Sequence, residues 1–249
     1  MPKWLKWILG IFATLTLLLV IAFLIFSESL PKGQTGPEAE ALANKMLTAI
    51  NKPAWDNTGI IQWSFPRGHD FIWDKKRHLA EVKWDNNRAL IDLQKVTGKA
   101  YTDGKEVTGA AGEKLVKDAW GFWCNDSFWL NAPAKALDGG TERSVVTQKD
   151  GSKALMITYK GGGVTPGDSY LWSLDENGLP TGYKMWVSII PLGGVSATWD
   201  NWQTLPTGAK IATSHDLSIG GMKIPITNIK AAADLASFGM TEDIFKPIL

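Results

Sequence analysis

The chain begins with a continuous apolar run, and farther along it apolar and polar residues alternate. Residues 7–27 carry no charge and are mostly Leu, Ile, Val and Phe, and Lys3 and Lys6 precede them. As a helix this run would be about 30 Å long, which is the thickness of the hydrocarbon core of a bilayer. The pattern predicts an N-terminal transmembrane helix, and the two lysines predict that its N-terminus stays in the cytoplasm.

A cleaved signal peptide is the alternative for residues 1–27. Its apolar core usually has roughly 7–15 residues before a cleavage site of small residues, and Ser27 and Ser29 could supply that site. The run in this chain is longer, which favours an uncleaved anchor. Residues 28–36 are rich in Pro, Gly and polar types and predict a short flexible tether to the exported remainder of the chain.

Two segments show helical spacing of apolar residues. Pro37 suits the first position of a helix, and apolar residues recur at helical spacing from there to Ile50. Residues 111–131, rich in aromatic side chains, predict either a second helix or two short helical pieces. Each segment has one apolar face, so each must pack against another element.

From residue 59 onward the period of the apolar positions changes to two. Ile61, Trp63 and Phe65 alternate with polar residues, and Asp-Gly and Asn-Gly pairs recur at short intervals. Such pairs supply the positive φ angles of tight hairpin turns. About a dozen strands with few helices predict a mainly β fold, either a strongly curved antiparallel sheet or an incomplete β-barrel with covering helices.

The composition of the chain limits the partners that it can bind and the ways in which its fold can be stabilised. The chain has 26 Lys and Arg against 25 Asp and Glu, and this balance lacks the basic surface that a nucleic-acid partner requires. Cys124 is the single cysteine, so no intramolecular disulfide can form, and we interpret it as a buried core residue. The 13 Trp residues either fill a thick core or line an apolar cavity.

Three stretches carry a resemblance to a known family. They are the aromatic segment from Phe122-Trp123 to Phe128-Trp129-Leu130, the strand entry Pro-Gly-Asp-Ser-Tyr at 166–170, and the hairpin sequence Trp-Ser-Leu-Asp-Glu-Asn-Gly-Leu-Pro at 172–180. With the exported N-terminal helix and the aromatic strands, they resemble the periplasmic lipoprotein-carrier superfamily, the LolA/LolB-like proteins. The resemblance covers most of residues 37–249, which we predict to be one LolA-like β domain.

The resemblance implies an unclosed barrel of about eleven strands around helices, with an apolar cavity that accepts acyl chains. The chain departs from the carrier type because its anchor is predicted to stay uncleaved and no lipid-bearing cysteine follows it. We therefore expect local lipid handling or sensing at the bacterial inner membrane. The expected topology is single-pass, with a cytoplasmic N-terminus and a periplasmic C-terminal domain.

The main functional hypothesis is a membrane-tethered periplasmic module that binds a lipid, an acyl chain or another apolar ligand and has no enzymatic activity. Helices 37–50 and 111–131 would form its lid, and a Gly-rich loop at 161–167 would lie at the rim and could gate it. The predicted partners are the membrane, through residues 7–27, and a lipid or lipoprotein acyl chain; no protein partner is identified. The candidate cavity residues are Trp63, Phe65, Phe71, Trp73, Trp84, Trp172, Tyr183 and Met185.

Two alternatives remain. In the first, the same aromatics form a solid core, and the protein is a structural or partner-binding component of the envelope. In the second, His215 and Asp216 serve a hydrolase. His69 and His78 could face one another across an antiparallel pair, but their spacing matches no recognised zinc pattern, so we predict no metal and no cofactor.

Overall fold

The fold is mainly β, with five α-helices in the described part of the chain. A computed structural model describes residues 2–161 and 165–249, without the side chains of residues 19–22, 24 and 25. Residues 162–164 of the predicted rim loop at 161–167 therefore lie outside the described residues. The helices are α1 (Lys3–Phe26), α2 (Pro37–Ala49), α3 (Lys52–Asn57), α4 (Gly109–Asn131) and α5 (Leu235–Phe238). The strands are β1 (Ile60–Phe65), β2 (His69–Asp74), β3 (Leu79–Trp84), β4 (Asn87–Asp92), β5 (Thr97–Thr102), β6 (Lys105–Val107), β7 (Thr141–Thr147), β8 (Lys153–Tyr159), β9 (Ser169–Leu174), β10 (Pro180–Trp186), β11 (Val195–Thr198), β12 (Gln203–Thr204), β13 (Lys210–Ile211), β14 (Ser214–Asp216), β15 (Lys223–Pro225) and β16 (Thr227–Ala232).

Helix α1 is continuous over the predicted anchor. From Trp7 to Phe26 its described apolar side chains, such as Trp7 and Phe12, are exposed. Among the residues that the structure describes, no helix is both long enough and apolar enough to cross a membrane. The transmembrane anchor therefore stays a prediction.

The strands divide between two large antiparallel sheets. A seven-stranded sheet has the order β16-β1-β2-β3-β4-β5-β6, and a five-stranded sheet has the order β11-β10-β9-β8-β7. Two further pairs, β12-β13 and β14-β15, stand beside them. The predicted mainly antiparallel β architecture is confirmed. Among the described residues, however, hydrogen bonding places the strands in two large sheets and two short pairs, and neither large sheet closes on itself.

Helix α4 packs on the inner face of the seven-stranded sheet where that face carries small side chains. Ala80, Ala89 and Ala100 are fully buried there, on three neighbouring strands. Small residues let a helix approach a sheet closely, and Gly112 of α4 lies so near the Val107 carbonyl that a Cβ atom would collide with it. The position of α4 is therefore fixed by a strip of small residues.

The C-terminal segment covers the outer face of the same sheet. Phe245 is fully buried there against Leu79 and Leu90. Arg77 holds the segment because its guanidinium donates to both carboxylate oxygens of Asp243, at 2.6 and 3.0 Å. Both faces of the seven-stranded sheet are thus covered, the inner one by α4 and the outer one by the chain terminus.

Residues 28–34 lie across the outer face of the five-stranded sheet. At one end, the Glu28 carbonyl accepts a hydrogen bond from Trp186 Nε1 at 2.7 Å, and the Glu28 carboxylate pairs with Lys184 of β10 at 2.6 Å. At the other end, Gln34 exchanges backbone hydrogen bonds of 2.9 and 2.8 Å with Val145 of β7. The predicted flexible tether is therefore bound to the domain at both of these points. The contact with Glu28 also accounts for the position of the Trp186 indole on the outer face of the sheet.

Candidate functional site

Helix α4 carries aromatic side chains to the inner faces of both sheets. Toward the seven-stranded sheet, the Trp123 ring lies edge-on to Trp73 with 5.1 Å between centroids. One residue earlier, the Phe122 ring lies 4.3 Å from that of His69 and 5.6 Å from that of Trp84. The middle of α4 therefore places aromatic rings against those of strands β2 and β3.

The next turn of α4 contacts the five-stranded sheet. The Phe128 ring lies 4.6 Å from that of Tyr170, and the Trp129 ring lies 5.8 Å from that of Tyr183. Beyond these, Tyr183 and Trp172 pack edge-to-face at 4.9 Å. We call these aromatic side chains, which lie in or against one hydrophobic cluster, the aromatic layer. Its members are Trp63, Phe71, Trp73, Trp84, Phe122, Trp123, Phe128, Trp129, Tyr159, Tyr170, Trp172, Tyr183 and Trp199.

All of the predicted cavity residues belong to the main hydrophobic cluster, which contains this layer, but they sit on two sheets. Trp63 and Phe71 form a cross-strand pair whose rings stack at 4.6 Å with an interplanar angle of 11°. Phe65, Trp73 and Trp84 share the seven-stranded sheet with them, whereas Trp172, Tyr183 and Met185 lie on the five-stranded sheet. Phe65 and Trp73 are half-buried and the other six are buried.

A small cavity lies beside the layer. A cavity beside the C-terminal end of α4, lined by Ile50, Trp55, Leu130, Trp202 and other residues, has a volume of about 10 Å³. Sites for small molecules usually measure roughly 300–1,000 Å³. A ligand of that size does not fit this cavity, and α4 is the element whose rings contact both sheets.

The aromatic layer contains polar atoms that are buried without a hydrogen-bond partner among the described residues. They are the indole N–H groups of Trp63, Trp73, Trp123, Trp172 and Trp199 and the hydroxyls of Tyr159 and Tyr183. Burial raises the pKa of the Tyr159 and Tyr183 phenols, so both hydroxyls are protonated at neutral pH. Since buried polar groups in folded proteins are nearly always paired, this concentration in one layer is unusual.

A buried carboxylate lies at the edge of the layer. Asp126 of α4 is 2% exposed, and its Oδ2 is 2.7 Å from His69 Nδ1. Burial raises the pKa of Asp126, against the hydrogen bonds from His69 and Asn125 that lower it. This pair joins α4 to strand β2. Sequence reasoning missed Asp126, because nothing in the spacing of residues 69 and 126 indicates that they meet.

The other histidines do not form the predicted arrangements. His69 begins β2 whereas His78 lies in the turn after its end, so the strand separates them by roughly 17 Å and they do not face one another. In the residues described, no group of His, Cys, Asp and Glu side chains is placed to hold a metal ion.

His215 and Asp216 point to opposite faces of β14. His215 is fully buried with Nδ1 3.0 Å from the Thr198 carbonyl, whereas Asp216 pairs with Lys223 at the surface. The hydrolase pair is therefore not formed. Burial also raises the pKa of the Cys124 thiol to about 11, which keeps it protonated and makes it a poor nucleophile.

Comparison with known proteins gives distant structural neighbours only. No family model matches the chain, and no curated protein matches it. A DUF1329 family protein from Desulfovibrio piger is similar over 80% of this chain and 96% of its own, with 10% identity and a TM-score of 0.41. An outer membrane lipoprotein-sorting protein domain from Vibrio parahaemolyticus is similar over 79% of this chain and 97% of its own, with 8% identity and a TM-score of 0.31. TM-scores this low assign neither a family nor a function to this chain.

Proposed function

We propose that the protein is a membrane-tethered module of the bacterial envelope that binds an acyl chain, or a similar apolar ligand, between α4 and the two sheets. The observation that carries this proposal is the aromatic layer with its buried, unpaired donors. A core that serves stability alone leaves few such donors unpaired, because each one costs about 1–3 kcal/mol. The proposed role is binding without catalysis.

The chemistry of the layer suits a lipid. When α4 moves away from the sheets, its aromatic side chains leave an apolar slot walled by Trp63, Phe71, Trp172 and Tyr183. Each methylene buried in such a slot contributes about 0.8 kcal/mol. The ester or carboxylate oxygens at the head of an acyl chain would accept hydrogen bonds from the indole N–H groups that now lack partners.

The proposed tether keeps the module at the membrane. Residues 7–27 are uncharged, and Trp7 and Phe12 of α1 expose their rings. In this proposal α1 lies in the inner membrane and the domain from residue 37 onward is periplasmic. A ligand released from the layer would then enter the same membrane or an acceptor beside it.

A second candidate is a partner-binding envelope protein with a solid core. The rings of the layer pack directly against one another, as Trp172 does against Tyr183 at 4.9 Å and against Trp199 at 5.0 Å, and this favours such a role. Under this alternative no lipid enters the domain, and the sheet edges or loops contact another protein.

A photoreactive fatty acid distinguishes the two candidates. Cells that express the full chain would be fed a diazirine- and alkyne-bearing palmitic acid, irradiated, and the labelled peptides identified by mass spectrometry. Ligand binding predicts labelled peptides from β1–β2 and from α4, besides those from α1. Labelling confined to α1 and to surface loops would refute the ligand site and favour the solid core.

A matched pair of variants tests the donors. Trp123→Phe keeps a ring but removes an unpaired N–H of the layer, whereas Trp186→Phe removes an indole N–H on the outer face of the five-stranded sheet. We expect the first variant to lower the labelling of α4 several-fold and the second to leave it unchanged.

A further inference from the structure

One end of the five-stranded sheet gathers several loops. Because the sheet is antiparallel, strands β7, β9 and β11 begin at the same end of the sheet at which β8 and β10 finish. The segments 132–140 and 187–194 therefore lie at this end. The turn 217–222 joins them, since Ser218 donates its backbone N–H to the Ser196 carbonyl at the start of β11, at 2.9 Å. We call this end of the sheet, with its three loops, the loop end.

Helix α1 leaves the domain at the loop end and is fixed there. The backbone N–H of Gly193 donates to Ser27 Oγ at 3.1 Å, and the Glu28 N–H donates to the Gly193 carbonyl at 2.9 Å. The loop that carries Gly193 is held in turn, because the Ser188 N–H donates to the carboxylate of buried Asp168 at 2.9 Å. The end of α1 therefore sits directly beside the tip of the loop 187–194.

The loop end exposes large apolar side chains. Ile189 is 68% exposed, Leu137 is 43% exposed and Met222 is 44% exposed, and each belongs to a different loop. The charged side chains nearby are paired, as in Lys135 with Asp138 at 2.7 Å. The loop end thus offers three apolar tips in surroundings without a strong charge.

We propose that the loop end contacts the bilayer, with Leu137, Ile189 and Met222 inserted into the lipid interface of the leaflet from which α1 emerges. This inference rests on the proposed membrane tether. Because α1 ends beside Gly193 and is hydrogen-bonded to it, a membrane that contains α1 lies next to this end of the domain. Because the tips are apolar and the nearby charges are paired, insertion depends on buried apolar area and not on anionic lipid.

The contact has a consequence for the proposed ligand. Helix α4 ends at Asn131, and the chain continues through a 3₁₀ turn (Ala132–Lys135) to Leu137 at the loop end. The C-terminal end of the proposed lid is therefore linked to the bilayer by a few residues. An acyl chain could pass between the leaflet and the aromatic layer at this end without crossing water.

Site-specific fluorescence tests the contact on the full chain. Ile189→Cys and Leu137→Cys would be labelled at pH 7 with an environment-sensitive dye and reconstituted into vesicles of phosphatidylcholine alone or with phosphatidylglycerol added. Glu176→Cys is the matched control, because Glu176 is exposed in the hairpin between β9 and β10 at the opposite end of the sheet. The parent chain, whose single Cys124 is half-buried, measures background labelling.

We expect the dyes at positions 137 and 189 to be quenched by a nitroxide lipid and protected from aqueous iodide at least threefold relative to position 176, equally in both vesicle types. Flotation of the vesicles reports the tether separately. If the chain floats but positions 137 and 189 are quenched by iodide as strongly as position 176, the loop-end contact is wrong and the tether stands. If the chain does not float, the tether is wrong and the contact is refuted with it.

Discussion

Acidification should destabilise this protein through His215. This side chain is 0% exposed, and the rings of Trp199 and Trp129 lie 4.4 and 5.3 Å from its own. Burial lowers the pKa of His215 from 6.5 to about 4, although the Thr198 carbonyl opposes the shift. The folded protein therefore keeps this imidazole neutral at pH values where the unfolded chain protonates it.

The sign and size of the effect follow from this pKa difference. Since the folded-state pKa is the lower one, the contribution of His215 to stability is fully present above pH 6.5 and decreases as the pH falls toward 4. With one pKa unit equivalent to 1.36 kcal/mol, the loss amounts to about 2 kcal/mol at pH 5 and about 3 kcal/mol at pH 4.

Urea unfolding followed by tryptophan fluorescence measures this loss. The free energy of unfolding of the full chain, in a mild non-ionic detergent, would be determined between pH 7.5 and pH 4. In His215→Asn the amide can still donate to the Thr198 carbonyl, so the variant should be weaker at every pH but lack this component of the pH dependence. His78→Asn is the control, because His78 is exposed in a turn with a φ of 55°, which Asn tolerates.

Two outcomes of these unfolding measurements would contradict the assignment of acid sensitivity to His215. If His215→Asn loses as much stability between pH 7 and pH 4.5 as the parent chain does, the buried imidazole is not the source of acid sensitivity. If His78→Asn removes the dependence, the assignment to position 215 is also wrong.

Three further changes probe the core, a turn and the bound tether. Trp172→Ala should cost about 3–5 kcal/mol of unfolding free energy, because the ring is fully buried; a cost below 1 kcal/mol would mean that the layer is not closely packed. Gly178→Ala should be more destabilising than Gly151→Ala in thermal unfolding: both have positive φ, but a Cβ at Gly178 would lie 2.6 Å from a side-chain atom of α2, whereas the space around Gly151 is open. Trp186→Phe removes a hydrogen bond worth about 1 kcal/mol and should raise proteolytic cleavage within residues 28–36 about fivefold, whereas Trp202→Phe, which removes an indole donor elsewhere, should not.

The helices and hairpins could be predicted from the sequence because their signals are local. The spacing of apolar residues predicted helices over 37–50 and 111–131, and α2 and α4 occupy Pro37–Ala49 and Gly109–Asn131. The alternating strands and the Asp-Gly and Asn-Gly turns predicted the antiparallel pairs. In each case a periodic run and its end signals lie within a few residues of one another.

The features that the sequence did not reveal depend on distant pairings. Residues 28–34 look flexible in isolation, and only the hydrogen bonds to β10 and β7 make them part of the domain. The division of strands between two sheets depends on whether strands before α4 in the chain pair with strands after it, as β1 does with β16, and no local pattern encodes this. In the sequence, Asp126 looks like an ordinary helix residue, because its partner His69 is 57 positions away and only the fold places the two side chains in contact.

The tryptophan content alone did not separate a solid core from an apolar cavity. A layer that is closed without ligand and opens to admit one would combine the two, and the free energy of opening decides which ligands can enter. Moving α4 aside would expose Phe122, Trp123 and Phe128, which are half-buried in contact with the sheets. At roughly 1.5–3 kcal/mol for each fully buried large side chain, the partial exposure of these three rings alone costs about 5 kcal/mol, and the buried Trp129 and Leu130 add to it, so a ligand must bury more apolar surface than the three rings lose. An acyl chain of about ten methylenes recovers about 8 kcal/mol, whereas a four-carbon chain recovers about 3. If the layer is a closed ligand site, dodecanoic acid should compete with the photoreactive palmitic acid for α4 and butyric acid should not; equal competition by both, or by neither, would leave the solid core as the better description.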